Sequence, residues 1–210
     1  DTPGLLDFSH EMYSAIEAAD MALLIVDAGS GVQVGTEKAW DFCKTLKKPT
    51  FIMIKRKDKD TYDFNELVSS IQERFGAVCV PASYPIRPEM LEALNEMIAE
   101  TDEELMNKYF DEGVFEDWEF NKGLRNGVAA ADIVPIFAFD PENGQGVSAM
   151  LDIIRKFAPS PLRHTPYLYV DASGGEDYAL PETDGPVTAL VFKTLSDPFV
   201  GKISIMKIIT

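Results

Sequence analysis

With 210 residues, 46% of them hydrophobic and 10% aromatic, the chain is long enough for one sizeable core, or for one domain and part of another, and too apolar for disorder. Its 19 Lys and Arg stand against 35 Asp and Glu, a formal charge of −16 with a pI near 4.4. So acidic a surface repels phosphate backbones and argues against direct nucleic-acid binding, with one dense basic run, Lys55-Arg56-Lys57, as the local exception.

The chain opens on Asp1-Thr2-Pro3-Gly4. A helical pattern follows over Ser9–Asp20, in which Phe8, Met12, Ala15, Ile16 and Ala19 share one apolar face. The four-residue turn suits the phosphate-sensing switch of GTP-hydrolysing proteins. There the aspartate reaches magnesium through water, and a glycine lends its N–H where a Cβ would hold the backbone off. A plain Pro-Gly turn between strand and helix is the alternative reading of the same residues.

Met21–Ala28 is a continuous apolar run that predicts a strand buried on both faces of a parallel sheet. Thr36 is placed to cap a helix with Ala39, Trp40, Cys43 and Leu46 on its face. Lys44, Lys47 and Lys48 suit its C-terminal end, and Pro49 stops it. Thr50–Ile54 is a second apolar strand and runs into Lys55-Arg56-Lys57-Asp58. Ligands of open α/β sheets gather at the carboxyl ends of strands, so this loop and the Asp1–Gly4 turn are expected to face one crevice.

Asp63 and Glu66 form a capping box for a helix bearing Phe64, Leu67, Val68, Ile71 and Phe75, closed by Gly76. Ala77–Val80 predicts a short strand. Pro81, Pro85 and Pro88 mark a loop, and Pro88 fits the first turn of a helix carrying Met90, Leu91, Leu94, Met97 and Ile98. Thr101 with Glu104 predicts the cap of the next helix, bearing Leu105, Met106, Tyr109 and Phe110. Phe120, Leu124 and Val128 predict one more. These acidic helices read as solvated faces over apolar stripes. Ile133–Phe139 is a third buried strand with Asp140-Pro141-Glu142-Asn143-Gly144 as its exit loop, and Val147, Met150, Leu151, Ile154 and Phe157 mark the final helix. Strands alternating with helices predict an α/β layered domain. Pro161–Gly185, rich in turn residues, reads as a linker. Val187–Phe192 and Lys202–Ile209 read as strands that open a second, β-type domain.

Cys43 and Cys79 fall in a predicted helix and strand and are expected to be buried free thiols. His10 and His164 lack partners at metal-ligand spacing and are expected at the surface or in turns. No secretory leader and no apolar run of about 18 residues is present, so a soluble, cytoplasmic protein is expected.

Several runs together are similar to translation elongation factor G, of the translational GTPase family. They are Asp1-Thr2-Pro3-Gly4 with Asp7-Phe8, Val26-Asp27-Ala28, Gly31-Val32, Thr36-Glu37, Leu105-Met106-Asn107-Lys108-Tyr109, Val134-Pro135-Ile136-Phe137, Gly146-Val147, Phe192-Lys193-Thr194 and Asp197-Pro198-Phe199-Val200-Gly201-Lys202. The resemblance implies a P-loop-GTPase-like, partly parallel sheet flanked by helices over residues 1–160, with a shortened helical insert. After a linker at 161–185, it implies the first strands of a β-barrel domain at 186–210. It further implies GTP or GDP with Mg at Asp1, the ribosome as partner, translocation of tRNA and mRNA as the task of the whole factor, no membrane, and a monomer.

By the same resemblance the nucleotide site comprises Asp1, Thr2, Pro3 and Gly4. The guanine-recognition Asn-Lys-x-Asp falls on Lys55-Arg56-Lys57-Asp58, and the second base loop falls on Asp140-Pro141-Glu142. The departures are specific. Leu5 stands where the family carries the histidine that orients the attacking water, and an isobutyl group makes no hydrogen bond. Lys55 replaces the family's asparagine, Asp140 adds charge near a polyanion, and Pro141 has no N–H to donate. The run G-x-x-x-x-G-K-[ST] is missing, so the chain is expected to start within its nucleotide-binding domain. A hydrolysis-impaired paralogue, a ribosomal protection protein and a relative of peptide release factor three stay open as alternatives.

Overall fold

The computed structural model describes residues 1–56, 62–82, 88–163, 166–171 and 173–210. Lys57, Asp58, His164 and the expected short insert around Pro85 lie outside the described residues. The chain divides into two compact units, one of residues 21–158 and one of residues 1–20 with 159–210.

The larger unit is a four-stranded sheet. Its strands are β1 (Ala22–Asp27), β2 (Thr50–Lys55), β3 (Cys79–Pro81) and β4 (Val134–Phe139), all parallel, in the order β1-β2-β4-β3. The three long apolar runs are therefore neighbours, as their composition predicts. Pairing is in register from Ala22 opposite Thr50 to Asp27 opposite Lys55, and from Ile52 opposite Ile136 to Lys55 opposite Phe139. Among the described residues five helices separate these strands: α2 (Val34–Thr45), α3 (Phe64–Phe75), α4 (Pro88–Ala99), α5 (Glu103–Glu112) and α6 (Asp117–Ala130). A sixth, α7 (Val147–Phe157), follows β4.

Alternation along each strand decides which core a side chain enters. Phe51 and Met53 of β2 join Phe137, Leu94, Ile98, Leu124 and others from α4, α6 and α7 in one cluster, with the Phe51 and Phe137 rings edge to face at 5.9 Å. Ile52 and Ile54 point the other way and are equally buried. Residues buried from α2 and α3 include Trp40, Cys43, Leu67 and Ile71, and Trp40 stacks on Phe75 at 5.0 Å.

β1 departs from expectation. Ala22, Leu24 and Val26 are buried, but Leu23 and Ile25 are exposed, so this strand is covered on one face and not two. It is an edge strand, and its apolar run is continuous although only alternate residues are buried.

Two helix caps lie one to three residues from their predicted places. Helix α2 starts at Val34 behind Gln33 and leaves Thr36 inside its first turn. For α5 the cap is Asp102, whose carboxylate accepts from the N–H groups of Glu104 and Leu105, while the Thr101 hydroxyl donates back to the carbonyl of Ile98. The cap of α3 is Asp63, as predicted, accepting from Asn65 and Glu66. In α7 the buried residues are Ile153 and Phe157, whereas Leu151 is exposed.

The smaller unit contains α1 (Ser9–Ala18) and two hairpins, β5 (Tyr167–Val170) with β6 (Glu176–Ala179), and β7 (Ala189–Asp197) with β8 (Gly201–Ile208). The first hairpin lies within the turn-rich stretch 161–185. Its turn is organised by Asp171, which accepts from the N–H groups of Ser173 and Gly175. Two ion pairs tie α1 and Asp20, two residues past its end, to the second hairpin. Lys193 of β7 holds the Glu11 carboxylate, and Lys207 of β8 holds Asp20, with the Tyr167 hydroxyl accepting from Lys207 and donating to Asp20.

Gly123 and Gly127 of α6 mark close approaches. A Cβ on Gly123 would overlap Ile98 Cγ2, and one on Gly127 would lie 2.5 Å from Ile133 Cδ1. Helix propensity alone favours alanine at both by up to about 1 kcal/mol. Overpacking wins here, and Gly127→Ala is expected to destabilise the protein by about 1–3 kcal/mol in urea unfolding. Between α5 and α6, Glu119 accepts from Lys108 Nζ at 2.7 and 2.8 Å and from its own helix's capping N–H, Glu116. The Lys108 hydrogen bond, helped by Glu116, holds the Glu119 carboxyl below the usual carboxylate range. A carboxylate depressed on folding stabilises the protein above its ordinary value and loses that contribution as pH falls toward the depressed one. The stability gap between the native protein and Glu119→Gln should therefore narrow in unfolding curves taken at progressively lower pH.

Candidate functional site

The parallel register brings three strand exits to one end of the sheet. Asp27 closes β1 opposite Lys55 of β2, and Lys55 lies opposite Phe139 of β4, whose next residue is Asp140. Each exit is fixed by hydrogen bonds. The Asp27 carboxylate accepts from the N–H groups of Gly29 and Ser30, both at 3.2 Å, and Ala28 donates to the Lys55 carbonyl at 2.8 Å. Arg56 donates its backbone N–H to the Phe139 carbonyl at 3.0 Å, and its guanidinium donates to the Gln145 side chain. Arg56 is thus a clasp between the exits of β2 and β4. Its Nε is buried with no hydrogen-bond partner among the described residues.

Asp140 has a different role from the one expected. It is 1% exposed, and its carboxylate turns into its own loop, accepting from the N–H groups of Glu142 and Asn143 at 3.0 and 3.2 Å and from the Asn143 side-chain amide at 3.0 Å. That amide, with the backbone N–H groups and the positive charge of Arg56, holds the Asp140 carboxyl below the usual carboxylate range despite burial. Its charge therefore organises the loop and does not face outward. Pro141 follows Asp140 in this turn and, as a proline, has no N–H to donate. Asp140 also donates its N–H to the Gln145 carbonyl at 2.7 Å. The loop ends at Gly146, at φ 79°, where a Cβ would lie 3.1 Å from the Ala138 carbonyl oxygen.

Asp1, Thr2, Pro3 and Gly4 belong to the smaller unit and precede its first helical turn; all but Thr2 are exposed. No atom lies within 4 Å of where a Gly4 Cβ would be, so packing in this chain does not require the glycine. Leu5 is exposed in extended backbone. Its carbonyl accepts from the Phe8 N–H at 3.0 Å, closing the turn that leads into α1.

The donor set fits a guanine nucleotide on its base side. An aspartate-shaped loop, a clasped guanidinium with one unpartnered buried N–H and an adjacent lysine stand at one strand end, and Asp58 lies outside the described residues. Asp1 is an exposed carboxylate, of the kind that fits the outer sphere of a hydrated Mg ion. The cysteines take no part. Both are buried and free, and burial pushes the Cys79 thiol up to about 12. The signals that sequence reasoning missed are Gln145 and Asn143. Both are common loop residues with nothing in their spacing to distinguish them.

The model of the family described as the elongation factor Tu GTP binding domain matches residues 1–160. Among solved structures, a protein from Thermus thermophilus is similar to this chain, with a TM-score of 0.74 and 26% sequence identity over 99% of this chain and 34% of that one. The chain thus spans about a third of the length of that relative. No helix among the described residues is long and apolar enough to cross a membrane. With the family model matching well over half of its residues, the chain belongs to the elongation factor Tu GTP binding domain family.

Proposed function

We propose that this chain is the base-binding and second-switch portion of a ribosome-associated GTPase of the elongation factor G type, whose intact form moves tRNA and mRNA during protein synthesis. The observation that carries the reading is the convergence of Lys55, Arg56 and the Asp140 loop at the carboxyl end of a parallel sheet. In this reading residues 1–160 are part of the nucleotide domain, 161–185 a linker and 186–210 the start of a β-barrel domain, in a cytoplasmic monomer.

The roles follow from the chemistry of each group. Asp58 accepts from the guanine N1 and exocyclic amine, and the Arg56 clasp ties the exit of β2 to the exit of β4 and its Asp140 loop. Lys55, in place of a neutral amide, presents donors only. Asp1 orients water on magnesium, and the Gly4 N–H meets the γ-phosphate. Magnesium, when bound, neutralises phosphate charge.

Leu5 favours a second reading of the same site. With an exposed isobutyl group at the water-orienting position, nucleotide still orders the switch through Asp1 and Gly4, but hydrolysis lacks a positioned polar group. The protein then acts as a ribosome-binding module with slow turnover. Ribosome-stimulated phosphate release from the intact protein separates the two: rapid turnover favours the GTPase, and retained ribosome binding with little release favours the module.

The 210-residue chain alone is expected to show no calorimetric heat with GTP at micromolar concentrations, because the G-x-x-x-x-G-K-[ST] loop is not in it. Micromolar binding would overturn that expectation. In the intact protein, Leu5→His should raise ribosome-dependent hydrolysis by about a decade or more if Leu5 limits the rate, since such groups contribute about 10²–10⁴-fold. An unchanged rate would assign the limit to the base loops.

A further inference from the structure

The corner between α5 and α6 carries apolar surface that its unit leaves in water. Met106 and Phe110 lie one turn apart on α5. Val114 and Trp118 continue the same four-residue spacing past Gly113, in left-handed backbone at φ 72°, into the first turn of α6. Phe110 is 80% exposed, Trp118 64% and Val114 60%.

The corner does not need these groups for its own packing. Tyr109 stacks on Phe115 at 5.5 Å, Leu105 and Phe115 pack against the main core, and Lys108 binds Glu119 across the two helices. Large exposed apolar groups of this kind mark interaction surfaces, and Trp and aromatic anchors dominate the energetics of such surfaces.

The charge around them selects the partner. Asp111, Glu112, Glu116 and Asp117 interleave with the apolar residues, and the sole cation between residues 102 and 119, Lys108, is already held by Glu119 and Glu112. A second copy would bring the same carboxylates against themselves, and RNA would bring phosphate. We propose that this corner docks a basic amphipathic segment of another protein, with apolar side chains over Phe110, Val114 and Trp118 and its lysines or arginines against the flanking carboxylates. This docking is independent of the nucleotide site.

The two tryptophans make the test direct, because Trp40 is buried against Phe75 and Trp118 is exposed. The probe is a labelled Leu/Lys peptide of about 18 residues with its leucines on one helical face. Its control is the same composition scrambled to remove that face. Binding to the full chain should be micromolar and should shift Trp118 emission to the blue. Phe110→Ser with Trp118→Ser should weaken it by about ten-fold or more, read by anisotropy of the labelled peptide. Phe110→Ser alone and Asp111→Lys should each weaken it, with unchanged circular dichroism. Equal binding of the scrambled peptide, or native affinity in the variants, would overturn the proposal. So would a blue shift that tracks dimer formation in sedimentation without peptide.

Discussion

The structure of the larger unit depends on β2. It is paired on both edges and buried on both faces, so its register is set twice over, once against β1 and once against β4. A slip by one residue would exchange Phe51 and Met53 with Ile52 and Ile54 between two differently shaped cores. That constraint holds Lys55 level with both Asp27 and Phe139, and so decides which residues meet at the carboxyl end of the sheet. The site is a consequence of core packing several residues away.

Most of this is legible in the residues, for physical reasons that also explain the misses. The strands of the sheet are readable because β-rich apolar runs between turn residues have few other uses. What the runs do not report is how many neighbours each strand has. Met21–Ala28 and Thr50–Ile54 look equally apolar, yet Leu23 and Ile25 are exposed and Phe51 and Met53 are not. The cap of α5 differs from its predicted place because Thr101 and Asp102 are both competent capping residues and backbone geometry chooses between them, whereas α2 starts behind Gln33 with no side-chain cap at all. Thr101 spends its hydroxyl on the carbonyl of Ile98 instead. The β5–β6 hairpin is hidden by four-residue strands and a turn built on one aspartate.

The candidate site divides in the same way. Positions 55, 56 and 140 follow from strand ends, but the behaviour of their side chains does not. Arg56 reaches Gln145 across 89 residues of sequence. The Asp140 carboxylate, a defect if it faced a polyanion, is consumed by its own loop and makes the turn that an aspartate makes best. Opposite charges at 56 and 140 then become mutually consistent parts of one clasp.

The smaller unit is assembled from the two ends of the chain. Its ion pairs join Glu11 to Lys193 and Asp20 to Lys207, separations of 182 and 187 residues, while all of the parallel sheet lies in between. A contact of that order cannot form until the later lysine has left the ribosome that makes it. On a growing chain, residues 1–20 must wait while residues 21–158 are synthesised and can already fold. The helix that follows the Asp1–Gly4 turn therefore reaches these lysines only after the sheet of residues 21–158 has been made, although it precedes that sheet in the chain.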